Sequence, residues 1–326
     1  MNLKFNTENN NINDDINNIN NINKEAHEII NSSNLNELNE LRHTAKVRTI
    51  ISTILGIILI IGINFIIKNS ILSFICTVII IMGLGAFAAI PYTKFKTKYK
   101  EMFVQTSLND IFDNLIYQPN HGISRDIIAN TKMMQMGNRY SSNDYIEADY
   151  NNVHFVQSDV CIEEESHDSD GHSHTVTLFK GRWMLFDFNK EFKANVQVVQ
   201  KGFKNSKRKR LLGKKEELYK KVEMEDVSFN NDFKVFAQNE HDAFYILTPS
   251  MMDKIRKVTN NIEGNLIFCF INNQLHIGIH TGKDSFEPSM MKQIDPEVEK
   301  EKIKNDINVI TSFINELSLD TKLFKA

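Results

Sequence analysis

The sequence predicts an α+β membrane protein: a two-helix transmembrane hairpin, a helical stalk, and a cytoplasmic β-rich domain closed by a C-terminal helix. Three observations carry this. The stretches Thr49 to Ile67 and Asn69 to Thr93 contain no charged residue. Beyond about Val153 the apolar residues change from helical spacing to alternation. After Asp295–Pro296, Ile303, Ile307, Ile310, Phe313, Ile314 and Leu317 fall on one helical face. The segments are residues 1–46, Asn-rich and partly helical; 47–93, the hairpin; 94–144, the stalk; and 145–326, the α+β domain.

At about 1.5 Å per residue, the first uncharged stretch approaches the roughly 30 Å hydrocarbon thickness of a bilayer. It begins far from Met1, unlike the short apolar core of a signal peptide. Lys68 alone separates it from the second stretch. In that stretch Gly83, Gly85, Ala86, Ala88 and Ala89 are expected to let the two helices approach closely. Arg42, Lys46 and Arg48 precede the hairpin, and Lys94, Lys96, Lys98 and Lys100 follow it. Lys and Arg remain on the cytoplasmic side, so both outer ends are expected there, in a multi-pass protein of the cell membrane.

Ahead of the hairpin, Ile12, Ile16, Ile19, Ala26, Ile29 and Ile30 suggest a weak amphipathic helix interrupted at Ser32, Ser33 and Asn34. A short coiled coil and Asn-rich low complexity both fit this segment. Behind the hairpin, Phe95, Tyr99, Met102, Phe103, Ile111, Phe112, Leu115 and Ile116 predict a helix ending before Pro119. Short strands are then expected at Val153 and Phe155, Val160 and Ile162, Val176 and Leu178, Met184 to Phe188, and Val196 and Val198. Asn272–Asn273 between Leu266, Phe268, Phe270 and Leu275, Ile277, Ile279 predicts a tight hairpin, because Asn accepts positive φ. Thr248 as N-cap and Pro249 at the first helical position start a further helix. Strands followed by a closing helix resemble pleckstrin-homology-like domains at the level of fold, an analogy that transfers no function.

The net charge of −3 speaks against a nucleic-acid binder. Three separated cysteines, Cys76, Cys161 and Cys269, make neither a disulfide framework nor a CxxC pair, and are read as packing residues. The short signatures of dinucleotide, nucleotide, esterase and zinc-protease chemistry are missing, so no catalytic residue and no cofactor is assigned.

Two polar clusters remain. Glu163, Glu164, Glu165, His167, Asp168, Asp170, His172 and His174 surround a turn-forming Asp170–Gly171. They read as a solvated hairpin tip, with His167, His172 and His174 as candidate ligands for a divalent metal. Lys207, Arg208, Lys209 and Arg210 centre a basic loop that reads either as simply solvated or as a contact for anionic headgroups or a protein partner. It lacks the interleaved aromatics that single-stranded nucleic acid requires. The alternating aromatics Trp183, Phe186 and Phe188 read as core.

Several stretches resemble the bacterial family called domain of unknown function 3137. They are Tyr145–Ile146 with Val153–His154–Phe155, Leu178–Phe179–Lys180–Gly181–Arg182–Trp183 ahead of Phe186–Asp187–Phe188, and Ala243 to Pro249. Phe286–Glu287–Pro288 is similar too. The resemblance runs from the membrane hairpin to the C-terminus and implies a membrane-anchored bacterial protein with a cytoplasmic domain; it carries no catalytic residue. The functional expectation is a membrane-anchored binding or scaffolding protein whose domain recognises a protein or anionic lipid. Homo-oligomers through the N-terminal or membrane helices also fit. The alternative is an enzyme at the membrane face, metal-assisted through the His-rich loop.

Overall fold

The computed structural model describes residues 5–168, 170, 172–187, 195–204 and 219–319, with side chains from residue 33 onward. The chain divides into two compact units, Met1–Tyr99 with Pro288–Asp295, and Lys100–Glu287 with Pro296–Ala326.

In the first unit, helices α1 (Phe5–Ile66) and α2 (Ser70–Tyr99) form an antiparallel hairpin. The Glu37–Lys98 ion pair (2.9 Å), Arg48 4.8 Å over the Phe87 ring, and the Ser73 hydroxyl donating to Asn64 Oδ1 (3.0 Å) mark the register. At the turn, the Asn69 side chain accepts from the backbone N–H groups of Ile71 and Leu72, capping α2. Two helical stretches, Ser33–Ile66 and Ser70–Asn109, are long and apolar enough to cross a membrane. Their apolar side chains point outward: Ile58 is 59% and Phe65 87% exposed.

Two expectations are corrected here. Ser32, Ser33 and Asn34 do not interrupt the helix, because residues other than Gly and Pro cost a helix interior only about 0.7 kcal/mol or less each. Nor do Gly83 and Gly85 line the helix contact. A Cβ at either would meet nothing within 4 Å, and the close approach is at Gly56, where a Cβ would lie 3.4 Å from Leu84.

The second unit begins with a π-helical turn (Lys100–Gln105) and a short α3 (Thr106–Asn109). The predicted stalk helix ends there. Leu115 and Ile116 instead belong to an edge strand, β1 (Asp113–Gln118), and the expected stalk region also contains the start of β2 (Arg139–Tyr150). Tertiary pairing overrides the helical spacing: Asn114 takes φ 52°, and Phe112 packs edge-on against Phe155 and Tyr150. Between β1 and β2 lies helix α4 (Arg125–Asn130).

The strands expected as short pairs fuse into two long ones, β3 (Val153–His167) and β4 (Ser173–Asp187). Phe188 lies outside the described residues. Then follow β5 (Val196–Gln200), β6 (Lys220–Val222), α5 (Val227–Asp232), β7 (Phe233–Ala237), α6 (Glu240–Ile246) and α7 (Pro249–Asn261). The chain closes with β8 (Asn265–Ile271), β9 (Gln274–His280) and α8 (Pro296–Glu316). The Thr248 hydroxyl caps α7, accepting from Met251 N at 3.3 Å, and Asn272 and Asn273 make the β8–β9 turn at φ 52° and 58°.

Among the described residues the strands form one nine-stranded sheet, in the order β1-β2-β3-β4-β9-β8-β5-β7-β6, with every pairing antiparallel. Alternation gives each strand two faces. One face is covered by α8, whose Phe313 rings against Phe186 and Phe268. The other carries Val160, Ile162, Phe179, Trp183, Leu185, Ile267 and Cys269, covered by Ile123, Ile128 and Met133 around α4. Buried hydrogen bonds fix that cover: Ser158 Oγ accepts from Ile123 N (3.1 Å) and Gln197 Nε2 donates to Thr131 O (2.7 Å).

Candidate functional site

On the α8-covered face, a cluster of buried polar groups interrupts the apolar core. Asp159 on β3 stands directly across from Arg182 on β4. The Asp159 carboxylate accepts from the backbone N–H of Ser285 (2.5 Å) and from its hydroxyl (2.9 Å). Arg182 donates to the Ser285 hydroxyl, to the Asp306 carboxylate and to the Asp306 carbonyl of α8, and lies 5.5 Å over the Phe286 ring. Burial pushes the Asp159 carboxyl up to about 7, against the opposing pull of Arg182; the neighbouring Asp144 charge adds to the rise.

Asp144, at a β2 bulge with φ 56°, receives both its oxygens' bonds from Lys100 Nζ (2.6 Å each) and a further one from the Tyr117 hydroxyl (2.8 Å). Burial raises the Asp144 carboxyl, and Lys100 and Tyr117 oppose the rise. The Tyr117 hydroxyl is raised by burial and by Asp144. Glu287 reaches Lys100 at 3.4 Å. Gln157, two residues before Asp159 on the same face, is fully buried, and neither of its amide atoms has a hydrogen-bond partner among the described residues.

On the opposite face, Ile116, Glu147, Val156 and Leu185 form one cross-strand row. They line an open recess of about 590 Å³ together with His121, Ile127, Tyr145 and Gln274. The Tyr145 hydroxyl donates to Glu147 (2.7 Å), and burial followed by that bond pushes it up to about 12. Ile116 is 46% exposed at the sheet edge. Deeper in the same face, Trp183 Nε1 donates to His276 Nδ1 (3.3 Å), and burial lowers the imidazole to about 4.

His167, His172 and His174 are exposed on the β3–β4 hairpin. The His167 ring pairs with Ser173 Oγ (2.9 Å), and His174 lies 3.5 Å from Asp168. Asp168 also accepts from the backbone of Asp170 and His172, as a turn-closing carboxylate does. Among the described residues no group of three or more His, Cys, Asp or Glu is arranged to hold a metal ion. Lys207, Arg208, Lys209 and Arg210 lie outside the described residues.

Sequence reasoning missed the Asp159–Arg182 pair. The available signal was Arg182, placed by strand alternation on the same face as Met184 and Phe186, next to an apolar run. Its setting explains the residues that carried the family resemblance. Gly181 sits at φ +148°, where a Cβ would fall 2.1 Å from the Ile279 carbonyl, Arg182 turns to one face, and Trp183 fills the other against Gly278.

The architecture is a hairpin of two long apolar helices joined to a nine-stranded antiparallel sheet domain with a closing helix. Residues 177–319 match the family described as "Protein of unknown function (DUF3137)", so the chain carries a DUF3137 domain that runs from within β4 to just past α8. Comparison with curated proteins and with solved structures gives no match.

Proposed function

We infer that the protein is a membrane-anchored binding or scaffolding protein, held at the cytoplasmic face of the cell membrane by its helical hairpin, with the sheet domain recognising a partner. The observation that carries the reading is the band of outward-pointing apolar side chains on α1 and α2, from Ile50 to Ile66 and from Ile71 to Ile90. Such a surface is far larger than a soluble monomer exposes, and a bilayer covers it without a second protein. Basic residues at both outer ends of the hairpin favour a cytoplasmic domain.

The recess beside β1 is the recognition surface we assign, with an extended peptide as its partner. Among the described residues strand β1 is last in the sheet order, which suits the addition of a strand, and the apolar floor at Ile116, Val156 and Leu185 suits a side chain from it. Two measurements test the reading. The full chain should stay with membranes through an alkaline carbonate wash; release into the supernatant would end the anchoring claim. A protein that co-purifies with the wild type in mild detergent should be lost from Ile116→Arg, and equal recovery with both would reject the β1 recess.

A further inference from the structure

The segment Pro288–Asp295 packs with the helical hairpin rather than with the sheet domain that flanks it in sequence. Pro288 and Ile294 are buried, Lys292 N donates to Ser289 Oγ (3.4 Å) across Met290 and Met291, and Met291, Lys292 and Gln293 are exposed. Met290 seats it on α1. Its carbonyl accepts from Arg42 Nη1 (3.5 Å), and its sulfur accepts from the Thr49 hydroxyl (3.9 Å).

These two contacts bracket a boundary. Arg42 belongs to the basic flank and Thr49 opens the uncharged stretch; the exposed apolar residues of α1 begin one position later, at Ile50. Arg48, between them, lies over Phe87 of α2, where the exposed apolar residues of that helix are ending at Ile90. Met291, next to Met290, is 63% exposed. An exposed apolar, unbranched side chain and an ammonium therefore stand side by side, next to the residue that contacts this boundary.

We propose that this arm is a third membrane contact, with Met291 entering the boundary between headgroups and acyl chains and Lys292 meeting lipid phosphate. The inference rests on the hairpin spanning a bilayer, and the experiment separates the two. The full chain is reconstituted in phosphatidylcholine vesicles with or without brominated acyl chains, as wild type, Met291→Trp and Ile58→Trp. The native Trp183, buried in the sheet core, supplies a constant background. Bromine should remove the added emission of both variants, and for Met291→Trp more strongly when it sits near the headgroup than near the chain end. If Ile58→Trp is quenched while Met291→Trp stays bright and is quenched by aqueous iodide, the arm proposal is overturned and the anchor stands. If neither is quenched, the anchor itself fails and the arm with it. Should tryptophan at 291 not be tolerated, Met291→Cys carrying a nitroxide, with Cys76 and Cys161 replaced by Ala, gives the same reading. Its collisions with membrane-dissolved oxygen should then exceed those with an aqueous nickel chelate, and the reverse order overturns the proposal.

Discussion

The hairpin and the sheet domain are both rich in Ile and Phe, and they handle them in opposite ways. In the domain Phe268, Ile277 and Ile310 are fully buried, whereas Ile58, Phe65 and Ile71 of the hairpin face outward. The polar groups divide the other way. The two apolar stretches of the hairpin carry no charged side chain, while the domain buries Lys100, Asp144, Asp159 and Arg182. A water-surrounded core supplies its own apolar solvent and can enclose paired charges. A helix pair in lipid uses the bilayer for that purpose and excludes charge from it.

The comparison breaks most visibly under polar substitution. Ile277→Asp should abolish cooperative unfolding, since an unpaired charge then sits in the sheet core. Ile58→Asn, on the outward face of α1, should leave the thermal midpoint reported by Trp183 fluorescence in detergent unchanged. A large loss of midpoint from Ile58→Asn would mean that the hairpin face is a protein core.

Next in size is the charge cluster around Arg182, which pairs with Asp306 and reaches Asp159 through the Ser285 hydroxyl. Arg182→Met should cost about 3–5 kcal/mol, because it removes the positive charge that Asp306 and the buried Asp159 share, and adding Asp159→Asn should recover part of that loss. Additive losses in the denaturant titration would show that the two residues are not coupled. Gln157→Met should act in the opposite direction and stabilise by about 1–3 kcal/mol, since both amide atoms are buried without partners. A destabilised variant would mean that the amide is hydrogen-bonded after all.

The smallest expected effect is a pH dependence in which two groups oppose each other. Asp159 moves from 3.8 to about 7 on folding, so the folded state holds its proton more tightly and stability falls as pH rises through that window. His276 moves from 6.5 to about 4, so the folded state resists its protonation and stability rises with pH between those values. Asp144, also raised, adds to the falling limb. Asp159→Asn should therefore tilt the thermal midpoint toward higher pH, and His276→Asn should tilt it toward lower pH. Identical slopes for the two variants and the wild type would contradict both assignments.

Local chemistry was legible wherever a few neighbouring residues decide the backbone. Asn272–Asn273, Thr248–Pro249 and the two uncharged stretches, which form long apolar helices, were legible because turn, cap and uninterrupted apolar helix are short-range properties. Leu115 and Ile116 misled because two apolar neighbours satisfy a helix face and a strand equally well. Only β2, which pairs Ile116 with Glu147, decides between them. The candidate site was less legible for the same reason. Alternation places Asp159 and Arg182 on a face, but the register that sets them opposite each other is fixed by the whole sheet, and Ser285 and Asp306 arrive from far along the chain. The His-rich cluster was conspicuous in sequence because it is exposed, and exposed loops can collect polar residues with no further role.

Thiol labelling of intact cells reads out whether the hairpin is anchored with its domain facing the cytoplasm. In a chain with Cys76 and Cys161 replaced by Ala, and with Cys269 buried, single cysteines are placed at Lys68 in the hairpin turn and at the exposed Val227 of α5. A membrane-impermeant maleimide should label Lys68→Cys before lysis and Val227→Cys only after it. Labelling of Val227→Cys in intact cells, with a cytoplasmic control protected, would contradict the orientation on which the account rests.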